Sequence, residues 1–489
     1  MSEKAIEGLK PELVWQRFFE ISQIPRPSKS EEKLLTYLKK LAERENLSFK
    51  QDEAGNITIS VPATKGYENN PVIILQGHID MVCEKNKGTD HDFDNDPLKL
   101  VYKDGWIKTD GTTLGADNGI GVAASLALIN DRDAVHGPLE LLLTVDEETG
   151  LNGATNMDGS IISGKTLLNL DSEEDGTFYV GCSGGFGTSG NWKISYQSIP
   201  AGFVPYNLEI SGLKGGHSGL EIQTGKANSL KLMARILYSL PFEFYISKIE
   251  GGNKRNAIPR EAEAVIFLKS SDIINFSEFL KSQEEEFRSE FKTADGNVKI
   301  SCEPSEDKTE KVFDKQFTAK IIQTLIALPH GVINFSQDLP GLVETSTNLA
   351  IIKISEDVLS VITTQRSSVE SAKYYIAASV KSIFELGGGE VVTGDDYPGW
   401  KPNLDSKVLK TSKEVYKRLF NSEPVITAIH AGLECGILGD KSPGMDMISF
   451  GPTITGVHSP DEQVNVAAVE KFYFLLKEIL KEYAKNYAA

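Results

Sequence analysis

The stretch Val72–Asp80, VIILQGHID, constrains this chain more than any other. A short apolar run with β-branched residues reads as a buried strand of a parallel sheet, because such strands are covered on both faces. Ligands in open α/β folds sit just beyond the carboxyl ends of these strands. His78 therefore stands at the rim of the sheet. Asp80, two residues on, can accept a hydrogen bond from the second ring nitrogen, the pairing that orients a metal-ligating imidazole and makes it more basic. Taken alone, the same residues also describe a hydrogen-bonded core histidine.

Four further segments weigh against that plainer reading. The run Leu139–Val145 ends in Asp146-Glu147-Glu148-Thr149-Gly150, and Thr166–Leu170 ends in Asp171. Met445–Phe450 is followed, after a Gly-Pro turn, by Gly456-Val457-His458-Ser459-Pro460. Between the first two runs lies Leu114-Gly115-Ala116-Asp117-Asn118-Gly119, a turn opening a helix. Each segment delivers a histidine or a carboxylate to what can be a single rim.

At 489 residues the chain exceeds one hydrophobic core. The net charge of −18 argues against nucleic acid or an anionic membrane surface as partner. No apolar run approaches the length of a membrane span. The opening MSEKAIEGLKPELVW lacks the basic-then-apolar plan of a signal peptide. Cys83, Cys182, Cys302 and Cys435 form no CxxC pair. Together these features point to free thiols and a cytoplasmic location.

The order of elements predicts three ranges. Residues 1–186 form the first segment of a catalytic α/β domain, with helices over Pro11–Ile24 and from Ser28 to about Glu45. The second helix opens on a Ser28/Glu31 capping box, and a hairpin spans Phe49–Val61. Residues 187–398 form an inserted α+β lid whose pattern of strand, helix, hairpin, helix, strand partly repeats. Its two hairpins end alike, in Leu268-Lys269-Ser270-Ser271 and Gln365-Arg366-Ser367-Ser368. Residues 399–489 return to the first sheet, as they must if His458 joins the other candidates.

The candidate metal ligands are His78, Asp117, Glu148, Asp171 and His458. All offer oxygen or imidazole nitrogen and none a thiolate, which suits zinc, manganese or cobalt. Five ligands exceed what one tetrahedral ion takes while leaving a place for water. They fit two divalent ions if one carboxylate bridges, and Asp117 is the best placed to do so. Adjacent Glu147 and Glu148 then divide the work: one binds metal while the other faces the water and can carry its proton to a leaving amine. In the lid, His217 lies in the glycine-rich loop Gly212–Gly219, and Arg366 ends a strand where it can fork onto a substrate carboxylate. His430 and Gly432 follow the strand 425–429 and open a helix whose N-terminus can face an anion.

The motifs QGHIDMV, LGADNGIGVA, DEETGLNGA, NLDSEE, GGHSG, GGNKRNAIPREA, HAGLECG and GVHSPDE resemble those of the aminoacyl-histidine dipeptidases, within the two-zinc exopeptidases that include carboxypeptidases, aminoacylases and carnosinases. The resemblance runs nearly end to end. It implies a discontinuous two-metal exopeptidase domain with an inserted, duplicated lid, and hydrolysis of dipeptides, Xaa-His above all. It assigns His78, Asp117 and Asp171 to one ion, and Asp117, Glu148 and His458 to the other. It makes Asp80 the orienter of His78, Glu147 the general base and His217 the oxyanion donor, with Asn256, Asn348 and Arg366 as substrate contacts. In relatives with a shorter lid the histidine of this loop serves a partner subunit. A lid of double length implies subunits complete in themselves, whether or not the protein forms a homodimer. A broader di/tripeptidase and an N-acyl amino acid deacylase are the alternatives within the family. A binding protein that keeps the fold would be expected to lack Glu147 or a ligand, and every one is present.

Overall fold

The computed structural model describes residues 3–307 and 309–487, so residues 1, 2, 488 and 489 at the ends of the first and last expected ranges, and residue 308 within the middle one, lie outside it. Two compact units form: Met1–Cys182 with Trp400–Ala428 and Leu433–Ala489, and Ser183–Gly399 with Ile429–Gly432.

In the first unit, α1 (Glu12–Ser22) buries Val14, Trp15, Phe18 and Ile21 at helical spacing. Helix α2 (Glu32–Arg44) buries Leu34, Leu38 and Leu41. The expected capping box is absent. Helix α2 has no side-chain cap, and the Ser28 hydroxyl instead donates to Asp80 Oδ2 at 2.8 Å. Glu31 accepts from the Lys29 and Asp146 backbone N–H groups. A buried acceptor elsewhere outcompeted the local bond that the spacing suggested.

Strands β1 (Phe49–Gln51) and β2 (Ile57–Val61) pair as the expected hairpin. Strand β3 (Ile73–His78) runs parallel to both β4 (Leu139–Thr144) and β5 (Thr166–Asn169). All three are buried throughout, as expected of largely apolar strands covered on both faces. The register sets His78 beside Thr144 and Gln76 beside Asn169, so the three chains leave the sheet at one level. Helix α3 (Ala116–Ala127) approaches closely because it is made of small residues: a Cβ on Gly121 would collide with the Leu170 carbonyl. Strand β6 (Thr177–Cys182) completes this segment.

The second unit begins with β7 (Gly184–Lys193) and continues through β8 (Phe203–Ser211), α4 (Ser229–Ser239), β9 (Tyr245–Gly251) and β10 (Ala262–Lys269). Then come α5 (Ile273–Glu290), β11 (Lys299–Pro304) and α6 (Lys315–Ala327). The unit closes with β12 (Val343–Ser355), β13 (Val358–Ser367), α7 (Glu370–Leu386) and β14 (Glu390–Tyr397). The main strands lie in the order β11-β8-β10-β9-β12-β13-β7-β14. Counted within each half, that order is fourth, first, third, second, then second, third, first, fourth. The sheet of this unit is thus a duplication of a four-stranded motif, with the copy from β8 to β11 inserted after the first strand of the other. The two copies join antiparallel through β9 and β12 into one sheet. Phe276, Phe287, Phe317 and Phe384 share a core with Leu208, Met233 and Val380.

The chain then returns to the first unit through α8 (Lys407–Phe420), β15 (Val425–Ile429), α9 (Glu434–Lys441), β16 (Asp446–Ser449) and α10 (Val466–Tyr487). Strand β16 pairs parallel with β5, giving the sheet order β1-β2-β4-β3-β5-β16-β6-β15. The segment carrying His458 therefore rejoins the sheet as expected, but His458 is not at a strand end of it. It lies in a hairpin between 454–455 and 463–465, part of a separate four-stranded sheet with 101–103 and 106–108. Among the described residues no helix is long and apolar enough to cross a membrane, and the four cysteines are unpaired.

Candidate metal centre and substrate cluster

His78 ends β3, Asp117 opens α3, Glu147 and Glu148 follow β4, and Asp171 follows β5. His78 Nε2 lies 3.0 Å from Asp117 Oδ1 and 3.4 Å from Asp171 Oδ1. His458 Nε2 lies 3.2 Å from Asp117 Oδ2 and 3.0 Å from Glu148 Oε2. Asp117 thus turns one oxygen to each imidazole, and each imidazole has a second carboxylate of its own. His458 reaches this position with a left-handed backbone, φ 58°, which a non-glycine residue adopts only when its surroundings hold it there.

A ring protonated on Nδ1 alone would set its Nε2 lone pair against carboxylate lone pairs about 3 Å away, so each Nε2 must carry either a proton or a metal ion. The charge balance agrees. Asp117 and Glu148 raise the His458 imidazole to about 11, against its burial. Burial disfavours a charge on His78, but Asp171, Asp117 and Asp80 outweigh it and raise that imidazole well above its ordinary value. Burial pushes Asp171 up to about 6. Asp171 Oδ1 and Glu148 Oε1 are buried without a hydrogen-bond partner. Ligand atoms of His78, Asp117 and Glu148 fall within 4.8 Å of one another. Two nitrogens and three carboxylates with orphaned, converging atoms fit divalent cations of the zinc or manganese kind.

Asp80 does more than accompany His78. Its Oδ1 is 3.3 Å from His78 Nδ1, a long contact without good hydrogen-bond alignment. Its shorter partners are the Glu147 N–H at 3.0 Å, the Glu148 N–H at 3.2 Å and the Ser28 hydroxyl at 2.8 Å. Burial opposes the charge on Asp80, yet the nearby His78 imidazole and the bonds from the Glu147 N–H and the Ser28 hydroxyl bring its carboxyl down to about 2. This carboxylate fixes the turn that aims Glu147 and Glu148. Burial raises the Glu147 carboxyl well above its ordinary range; His78 opposes that rise, while Asp171, Glu434 and Glu148 add to it.

One layer deeper, polar side chains cross four adjacent strands. Glu434 Oε2 accepts from Thr144 Oγ1 at 2.7 Å and Gln76 Nε2 at 2.5 Å. Gln76 Oε1 accepts from Asn169 Nδ2 at 2.5 Å, and Asn169 Oδ1 from Ser449 Oγ at 2.5 Å. Gln76 and Asn169 each stand two residues before a ligand. The row locks the ends of β4, β3, β5 and β16 to each other. Sequence reasoning missed it, since each member looks like an isolated polar residue in an apolar run; the alternation Gln76-Gly77-His78 was the one available signal.

The second unit carries its own cluster. His217 Nδ1 accepts from the Gly219 and Leu220 N–H groups at 3.2 and 3.0 Å. Burial and the nearby Arg366 lower its imidazole to about 4, so the ring is neutral at pH 7 with its proton on Nε2. The Asn256 carbonyl accepts from the Ser218 N–H, next to His217. Asn348 Nδ2 donates to the Ala257 carbonyl at 2.8 Å, leaving Asn348 Oδ1 buried and unpartnered. Arg366 Nη1 donates to Tyr397 Oη at 2.8 Å, and its Nε is also unpartnered. His430 Nε2 and Ser346 Oγ are 2.7 Å apart, and Ile429–Gly432, within the returning segment of the chain, groups with this unit. Burial and Arg366 lower His430 to about 3.

Candidate ligands from the ends of adjacent parallel strands, a helix start and a hairpin thus converge in an α/β protein. The chain belongs to Peptidase family M20/M25/M40, whose model matches residues 74–482. It is 41% identical over 485 residues to the cytosol non-specific dipeptidase of Escherichia coli (strain K12), covering 99% of both chains. Its structure is similar to that of the aminoacylhistidine dipeptidase from Vibrio alginolyticus, with a TM-score of 0.90 and 39% identity over 98% of this chain and 99% of that one. An aminopeptidase from Bacillus cereus shares the fold at a TM-score of 0.57 and 18% identity, covering 97% of this chain and 99% of that one.

Proposed function

We infer that this chain is a dipeptidase that hydrolyses unblocked dipeptides, Xaa-His among them, with two divalent ions held by His78, Asp117, Glu148, Asp171 and His458. The observation that carries this reading is the split of Asp117, one oxygen toward each imidazole, 3.0 Å from His78 and 3.2 Å from His458. Asp117 would serve both ions, with His78 and Asp171 holding one and Glu148 and His458 the other. Such ions would supply Lewis acidity toward a carbonyl and toward water, and zinc suits the donors. Glu147, held by Asp80 through its own backbone N–H, takes the proton of the attacking water and returns it to the leaving amino group. His217 donates its Nε2 proton to the tetrahedral oxygen, a role its neutral tautomer suits. Arg366 faces the substrate carboxylate, and Asn256, Asn348, His430 and Gly432 supply further polar contacts.

The relatives named for dipeptide and aminoacyl-histidine hydrolysis support this substrate class and a cytoplasmic location. The duplicated lid supports subunits that are each complete, since one copy can stand where a second subunit's lid would. Zinc-loaded protein assayed against dipeptides, tripeptides and N-acetyl amino acids tests the reading. Dipeptides should be cleaved with the highest kcat/KM. A higher value for tripeptides or N-acetyl amino acids would replace it with the broader peptidase or the deacylase.

A further inference from the structure

Two buried residues of opposite charge grip the loop that presents Asp117. Glu462 is 2% exposed, and its carboxylate receives four successive backbone N–H groups. Oε2 accepts from Leu114 at 2.7 Å and Gly115 at 2.9 Å; Oε1 accepts from Ala116 at 2.7 Å and from Asp117 itself at 3.2 Å. Glu462 stands at the far end of the turn that carries His458. It therefore ties the backbone of one candidate ligand to the hairpin of another.

Arg26 works on the opposite face of the same loop. Its guanidinium is 1% exposed and lies between two ligand-bearing segments. Nη1 donates to the Ile79 and Asp80 carbonyls, both at 2.9 Å, just past His78. Nη2 donates to the Gly115 carbonyl at 2.5 Å. The Gly115 residue is thus held from both sides, its N–H by Glu462 and its carbonyl by Arg26. Glycine is required there twice over. Its φ is +65°, and a Cβ would collide with Arg26 Nη2. Gly119 leaves room for the same guanidinium.

We propose that Glu462 and Arg26 are positioning residues that fasten the His78, Asp117 and His458 segments together and so set the spacing of the two metal sites. The proposal rests on the two-metal reading above. Neither residue touches substrate or metal; both act through backbone. Chemistry explains why these side chains are needed. Four N–H donors converging on one point require a two-oxygen acceptor, and only a carboxylate presents acceptors on both sides. Three carbonyls from two segments require a planar fork, which a lysine ammonium cannot reproduce. Removing either member leaves buried backbone groups unpaired beside a ligand.

Glu140 provides the control. This buried carboxylate accepts from the backbone N–H groups of Ser163 and Gly164 at the other end of the same strands, away from the ligands. Zinc binding to metal-stripped protein is titrated against a competing chelator for wild type, Glu462→Gln, Arg26→Lys and Glu140→Gln, and kcat and KM are measured on an Xaa-His dipeptide. The glutamine amide would point its NH2 group at two backbone donors. Glu462→Gln and Arg26→Lys should each lose about 10- to 100-fold in zinc affinity or kcat, the scale for residues that orient ligands, with KM little changed. Glu140→Gln should keep both zinc affinity and kcat. Should Glu462→Gln fail to fold, Glu462→Asp, which keeps the charge but shortens the reach, is read the same way and should show a smaller loss of the same kind. Wild-type zinc affinity and turnover in the Glu462 variant would overturn the inference alone, as would an equal loss in the Glu140 control. A wild-type protein that binds no zinc would overturn both this inference and the two-metal reading.

Discussion

Replacing Asp80 by asparagine preserves shape and changes one atom from acceptor to donor. Asp80 is fully buried, and its oxygens serve the Glu147 N–H, the Glu148 N–H and the Ser28 hydroxyl. If the amide nitrogen takes the Oδ1 place, it opposes the Glu147 N–H; if it takes Oδ2, it opposes the Glu148 N–H. Either way one bond to a charged acceptor is lost, worth about 1.5–3 kcal/mol, and a buried donor is left unpaired at a further cost of about 1–3 kcal/mol. Part of that sum is relieved by movement of the turn, and that movement is what misdirects Glu147. A loss of about 3 kcal/mol in the transition state corresponds to roughly 10²-fold in rate. Steady-state hydrolysis of an Xaa-His dipeptide by zinc-loaded Asp80→Asn should show kcat reduced by about that factor, with KM changed only slightly. Ser28→Ala removes a single neutral donor and should cost about 1 kcal/mol, near fivefold. Asp80→Asn with wild-type kcat would show that the turn holds itself, and the bracing role would be lost.

Glu147→Gln keeps its size but cannot carry the proton, so turnover should fall by about 10²-fold or more with metal retained, while Glu148→Gln should weaken metal binding; equal turnover and equal metal content in the two variants would erase the division. His217→Ala mixed with Glu147→Gln under subunit exchange should recover no activity if subunits are self-contained, and substantial recovery would place His217 in a partner's site. His430 is 6% exposed and, at about 3, lies below its unfolded value of about 6.5, so the unfolded chain takes up the proton first and stability falls as pH drops from about 6.5 toward 3. Between pH 7 and 5 that amounts to about 2 kcal/mol, and His430→Gln should remove it from the difference in urea stability at the two pH values; an unchanged difference would contradict the buried neutral ring.

Much of the site was legible because a parallel sheet advertises itself. The runs ending at His78, Asp146 and Asp171 are mostly apolar, and the residues just past such a run sit at the rim by geometry. The grouping of His217 with Asn256, Asn348 and Arg366 was legible only through motif resemblance. The features that stayed hidden depend on long-range partners that leave no local trace. Asp80 serves two backbone N–H groups sixty-odd residues away, and a backbone donor has no sequence signature. Arg26, between two prolines, and Glu462, just past the His458 turn, carry no local mark of their burial, yet both are buried. His458 looked like another strand end because its turn comes soon after β16, but the hairpin that presents it pairs with residues 106–108, far back in the chain. In the lid, the likeness of its two hairpin ends revealed the repeat. That one copy is inserted inside the other was not visible, since strand order is a property of pairing and not of spacing.

The central claim is that Asp117 bridges two ions. Crystals of the zinc-loaded protein, with anomalous diffraction measured on both sides of the zinc edge, test it directly. Two zinc peaks about 3.5–4 Å apart are expected, the spacing of two-metal hydrolases. One Asp117 oxygen should lie on each, with His78 and Asp171 at one peak and Glu148 and His458 at the other. A single peak at full zinc loading, or two peaks that do not share Asp117, would contradict it.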